Sequence, residues 1–128
     1  NDDIYMFYEM RSAASDLRRM NLTQKQKVQY TRQNNTNRII AQIETLKREN
    51  VRHVVLSAFG CGAFQNDPTT IAEMYVDAIS QNIEHFDLIA FAIYTPYGSD
   101  NYSPFFDTFS SSDLKHHIFQ ESDTICSS

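Results

Sequence analysis

Glycine is scarce in this sequence: there are three in 128 residues, and two of them, Gly60 and Gly62, flank Cys61. A chain this poor in glycine concentrates its need for unhindered backbone in one short loop. Cysteine is scarcer still, with only Cys61 and Cys126. That number excludes a disulfide framework, the two belong to no paired metal-type spacing, and a reducing compartment fits them best. His116 and His117 stand without a spaced third ligand, so exposed histidines explain them better than a metal site, and no cofactor is implied. Positive charge is also short, with 11 basic against 16 acidic side chains and a net charge of −5. Apart from the pair Arg18 and Arg19 there is no basic stripe, which argues against nucleic-acid binding driven by the phosphate backbone. No apolar run approaches the ~20 residues that span a bilayer, and no basic-then-apolar leader opens the chain, so no membrane partner is expected.

The sequence begins Asn1, Asp2, Asp3 without an initiator Met, which suggests a segment of something longer or a processed product. Its length matches the ~100 to 150 residues of one ordinary domain with one modest core. Residues 4–10 are dense in aromatic and β-branched side chains and predict a buried strand. A small polar stretch at 12–17 predicts a loop, and Asn21 to Thr23 supply capping residues for a helix over 24–50. Within that helix Ile39, Ile40, Ile43 and Leu46 form an apolar stripe, while the Gln- and Asn-rich first half has weak helix preference and is expected to be irregular.

Residues 51–58 predict a second strand that leaves through the glycine pair. Asp67 followed by Pro68 pairs an N-cap acid with a first-turn proline. The helix they open carries Ile71, Met74, Tyr75, Ala78, Ile79 and Ile83 at three- and four-residue intervals. Residues 88–94 are continuously apolar, the pattern of a strand covered on both faces, and a turn follows over 95–100. A short helix is placed over 103–110, and 111–128 reads as a polar tail. Strands alternating with helices give an α/β fold with a parallel layer. Three strands and two or three helices cover such a sheet poorly, so a second polypeptide is expected to complete it.

Ligands of open α/β sheets sit outside the carboxyl ends of strands, where this chain places residues 59–67. Glycine-flanked amides and a following helix N-terminus suit an anionic guest, phosphate above all. The loop lacks the terminal Lys-Ser/Thr of a nucleoside-triphosphate loop, and Gln65 stands where a dinucleotide fingerprint needs its third glycine. The longer string LSAFGCGAFQNDP at 56–68 resembles the signature of microbial-type poly(ADP-ribose) glycohydrolases, which are macrodomain proteins. Supporting similarity covers roughly residues 4–108, including 12–18, Arg38 and Ile39, and Phe91.

The resemblance implies a three-layer α/β/α macrodomain with a mostly parallel or mixed sheet, of which residues 1–128 form the C-terminal half. It implies a diphosphate loop of Gly60, Cys61, Gly62, Ala63 and Phe64, with Phe64 packing on the distal ribose. Asn66, Asp67 and Tyr94 would support the site, and Asn101 and Phe105 would lie on the adenine side, Phe105 as a stacking ring. The implied activity is hydrolysis of ADP-ribose from protein or polymer, water attacking the anomeric carbon while a carboxyl group assists.

The family's Gly-rich loop with paired glutamates has no counterpart, since the sequence contains no Gly-Gly. The catalytic acid is therefore unknown here and expected in an N-terminal half present as a second polypeptide. Two rivals stand beside the hydrolase: a non-catalytic ADP-ribose reader, and an α/β interaction module whose loop is only a tight turn. The expected partner is ADP-ribose or an ADP-ribosylated protein. The abundance of Asn, Gln, Tyr and Phe fits an AT-rich genome and a bacterial effector, placing the protein in a cytoplasm, its own or a host's. Five residues carry a bland reading beside the functional one. Cys61 is a nucleophile or a small space-filler, Phe64 a ligand contact or a core ring, Asp67 a ligand contact or a helix cap, and Tyr97, like Tyr94, a cleft or core residue.

Overall fold

A computed structural model describes residues 10, 12–18, 20–61, 64–93 and 100–114. The expected strand at 4–10, apart from Met10, and the turn at 95–100, apart from Asp100, lie outside the described residues, as do Gly62, Ala63, Tyr94, Tyr97, His116 and His117.

Five elements follow in the order α1 (Gln24–Arg48), β1 (His53–Ser57), α2 (Pro68–Ser80), β2 (Leu88–Ala92) and α3 (Tyr102–Ser110). β1 and β2 pair in parallel, with His53 opposite Leu88 and Ser57 opposite Ala92. The chain is thus a small α/β unit of three helices and a two-stranded parallel sheet among the described residues. None of these helices is long and apolar enough to cross a membrane.

The first half of α1 is regular helix, contrary to the expectation from its composition. Two local features explain this. Thr23 and Gln26 form a reciprocal capping box that satisfies two otherwise orphaned amides. The inward face of that half is then polar and bonded: Thr31 and Asn35 are buried in line with Ile39, Ile43 and Leu46. At the far end Asn50 takes a left-handed conformation with φ 56°. Amides of Asn50 and Val51 return to the carbonyls of Lys47 and Leu46, a Schellman ending that stops the helix at Arg48. Thr23→Ala is expected to lower the unfolding free energy by about 1 kcal/mol in urea titration. An unchanged midpoint would mean that the capping box contributes nothing.

α2 is the central helix, packed on α1 to one side and α3 to the other. Its buried residues Ile71, Met74, Tyr75, Ala78 and Ile79 meet Ile39 and Ile43 of α1, Leu56 of β1 and Phe105 of α3 in one cluster. Alternation along the strands turns Val54, Leu56, Ile89 and Phe91 toward that cluster. Phe91 is its aromatic hinge point, with the rings of Tyr75, Phe109 and Phe105 at 5.2, 5.0 and 5.5 Å.

Three expectations are corrected. Ile40 lies a quarter turn off the buried stripe and is exposed, because neighbours in a helix are about 100° apart. Ile83 follows the end of α2 and is exposed too. The sheet is covered by described residues on one face only, since Val55 is 70% and Leu88 58% exposed on the other. Continuous hydrophobicity in 88–92 therefore does not mean that both faces are packed here.

Candidate functional site

The loop that leaves β1 begins with a β-turn in which the Cys61 amide donates to the Ala58 carbonyl at 3.0 Å. Gly60 occupies its third position with φ +73°, the conformation that only glycine adopts there without strain. Two residues of the 12–18 segment and the loop then close over it. A Cβ at Gly60 would collide with the Ala14 Cβ and would stand 2.7 Å from the Asn66 side-chain nitrogen.

Asn66 locks the loop from the other side. Its backbone amide and its Nδ2 both donate to the Gly60 carbonyl, at 2.9 and 3.0 Å. The same Nδ2 donates to the Ser15 carbonyl at 2.7 Å, and its Oδ1 accepts from Asn35 Nδ2 at 2.8 Å. Asn35 in turn accepts the Ser15 amide at 3.0 Å through Oδ1. Asn35 and Asn66 are both buried, so α1, the 12–18 segment and the glycine loop share one polar network with each inward amide group satisfied. Arg38 Nη1 adds a bond to the Ala13 carbonyl at 2.7 Å, and the Leu17 amide donates to the Phe64 carbonyl at 3.0 Å.

Asp67 caps α2. Its Oδ2 accepts from the Thr70 amide at 2.9 Å and the Thr70 hydroxyl at 2.7 Å, while Oδ1 accepts from Gln24 at 2.9 Å. Burial opposes its charge, but the bonds from Thr70 and Gln24, with the charge of Lys27, hold its carboxyl below the usual aspartate range. A carboxylate thus already sits on the first turn of α2 and takes up part of the positive end of that helix.

The structure therefore gives the predicted residues different roles. Asn66 and Asp67 are buried structural groups whose polar atoms are engaged within the protein. The Cys61 amide is committed to the turn, and its thiol is buried, 3.6 Å from the Phe59 carbonyl. Burial pushes that thiol up to about 12, the charge of Asp67 adding to the effect and Lys27 opposing it. A nucleophile needs the reverse environment. In a Cys126→Ser background, alkylation of Cys61 by iodoacetamide at pH 8 is expected to be at least about a hundredfold slower in folded than in urea-unfolded protein. Equal rates would show an exposed thiol.

Phe64 is half-buried, with the Arg18 guanidinium 5.1 Å from its ring centre. Asn101 is buried at the start of α3 without making a side-chain cap. Phe105 is 3% exposed and packed against Phe91 and Phe109, so its ring has no open face for an adenine, which corrects the stacking role. Shallow grooves of about 450 and 400 Å³ lie along α2 and α3 and at the end of α2, away from the glycine turn.

Thr31, Asn35 and Ser15 were not singled out from sequence. For Asn35 and Thr31 the signal was present as a continuation of the Ile39 and Ile43 stripe backward by four residues at a time. No match to the chain is found among protein-family models, curated proteins or solved structures.

Proposed function

We propose that this chain supplies the ligand-holding half of a macrodomain-type ADP-ribosyl hydrolase, the glycine loop cradling the diphosphate of ADP-ribose. The observation that carries the reading is the placement of the 56–68 string: it runs off the carboxyl end of a strand in a parallel pair, turns on Gly60 at φ +73°, and enters a helix at Pro68. That is where an open α/β sheet binds its ligand. With the Cys61 amide closing the turn, the phosphate oxygens fall to the amides that follow it at Gly62, Ala63 and Phe64.

Hydrolysis needs a carboxyl group to assist departure from the anomeric carbon, and this half does not carry the family's paired glutamates. The proposal assigns that group to a complementary polypeptide. The face at Val55 and Leu88, which no described residue covers, supports such a partner, because parallel sheets are ordinarily covered on both sides.

Calorimetry with ADP-ribose tests the reading on the protein together with its complementary polypeptide. Saturable heat is expected. A dissociation constant of ~1 mM, equivalent to about −4 kcal/mol, would still register, and no heat at millimolar ligand would remove the proposal.

A further inference from the structure

The chain carries a net charge of −5, so an anionic ligand meets overall repulsion and needs a local cation at its site. Among the described residues two cations are tied to the glycine loop. Lys27 acts on Cys61 and Asp67 from the first turn of α1. Arg18 is seated on the loop through Phe64 and held by Asp16 from its own segment. Its guanidinium lies over the Phe64 ring at 5.1 Å, and the adjacent Leu17 amide is bonded to the Phe64 carbonyl. Asp16 grips it through both carboxylate oxygens, with Nε at 3.0 and 3.1 Å and Nη2 at 2.6 Å.

This pair differs from the buried network beside it. Arg18 and Asp16 side chains are 51% and 40% exposed, and exposed ion pairs contribute little to stability, so the pair can exchange partners at low cost. A carboxylate presents the guanidinium with the same two-oxygen edge that a phosphate group does, and a phosphate carries more charge. The planar group also keeps its aromatic seat on Phe64 whichever anion it holds.

We infer that Arg18 is the cation that meets the phosphate oxygens of the ligand at the glycine turn, and that Asp16 occupies its guanidinium until the ligand displaces it. The inference rests on the reading of this turn as a diphosphate site. It makes Arg18 a specificity-determining residue and Asp16 a built-in competitor that lowers affinity for weakly charged anions.

Titration of the wild-type protein, Arg18→Gln and Asp16→Asn, each together with the complementary polypeptide, with ADP-ribose and with inorganic pyrophosphate tests it, each variant checked by its melting curve. Arg18→Gln is expected to weaken both ligands by roughly tenfold or more, the loss of a charge-assisted bond. Asp16→Asn is expected to tighten both severalfold, a gain that no merely structural role produces. Unchanged affinity in Arg18→Gln with intact wild-type binding of ADP-ribose overturns the role of Arg18 and leaves the diphosphate reading standing. Arg18-dependent pyrophosphate binding without ADP-ribose binding upholds the anion contact and overturns the ADP-ribose reading. Failure of the wild type to bind either probe overturns both, and weaker binding in Asp16→Asn overturns the competitor role.

Discussion

Gly60→Val is expected to lower the unfolding free energy by about 4 kcal/mol, from two costs that act together. The first is conformational: Gly60 has φ +73°, and a β-branched residue at positive φ is strained by about 1 to 3 kcal/mol. The second is steric. The new Cβ meets the Ala14 Cβ and the Asn66 amide nitrogen, neither of which can move freely, because Asn66 is bonded to Ser15, Asn35 and Gly60 at once. Overpacking of this kind costs a further ~1 to 3 kcal/mol. Urea unfolding measures the sum. A loss under about 1 kcal/mol would mean that the 12–18 segment does not rest on the glycine turn.

Asn66→Ala is expected to cost about 3 kcal/mol. Removal of the side chain leaves the Ser15 carbonyl and one N–H of the Asn35 amide group without a partner, while the other N–H stays on the Thr31 carbonyl and the Gly60 carbonyl keeps the Asn66 backbone amide. Two buried orphans at about 1 to 3 kcal/mol each give that figure. Asn35→Ala should overlap with it, so the double variant should lose clearly less than the sum of the two single ones. Hydrogen exchange adds a local readout: amides of 12–18 should lose protection before those of α2 do. Additive losses, or faster exchange confined to α2, would show that the two asparagines do not act as one network.

Much of the architecture could be read before the structure was known. Asp67 and Pro68 marked the start of α2, and the spacing of Ile71, Met74, Tyr75, Ala78 and Ile79 gave its buried face, because capping and periodicity are local properties. The start of α1 at Gln24 and the short α3 were legible for the same reason. The order of its first half was not. Thr31 and Asn35 are buried only because Ser15, Asn66 and Asp67 reach them from far along the chain, and no local rule places those partners.

The candidate site was legible to the same extent. Gly60 was singled out as a glycine of this loop, and its backbone takes a positive φ that suits glycine. Asn66 was assigned a supporting ligand role, whereas its side chain builds the loop, and of the two readings carried for Asp67 the helix cap is the one its bonds to Thr70 make. Phe105 was read as a stacking ring, yet it packs in the core, since a phenylalanine at that spacing serves either purpose and only packing against Phe91 and Phe109 decides. Arg18 drew notice as part of a basic pair, and its seat on Phe64 depends on a contact across the loop.

The central claim is that the loop after β1 holds the diphosphate of ADP-ribose, and residue-resolved NMR tests it most directly. Isotope-labelled protein with its complementary polypeptide would be titrated with ADP-ribose, with adenosine as the phosphate-free control. The account predicts saturable shifts in the amides of Gly60, Gly62, Ala63 and Phe64 and in the Arg18 side chain, with adenosine leaving them in place. Saturable shifts confined to residues away from this loop, or none at ~10 mM ligand, where even millimolar affinity would saturate most sites, would contradict it.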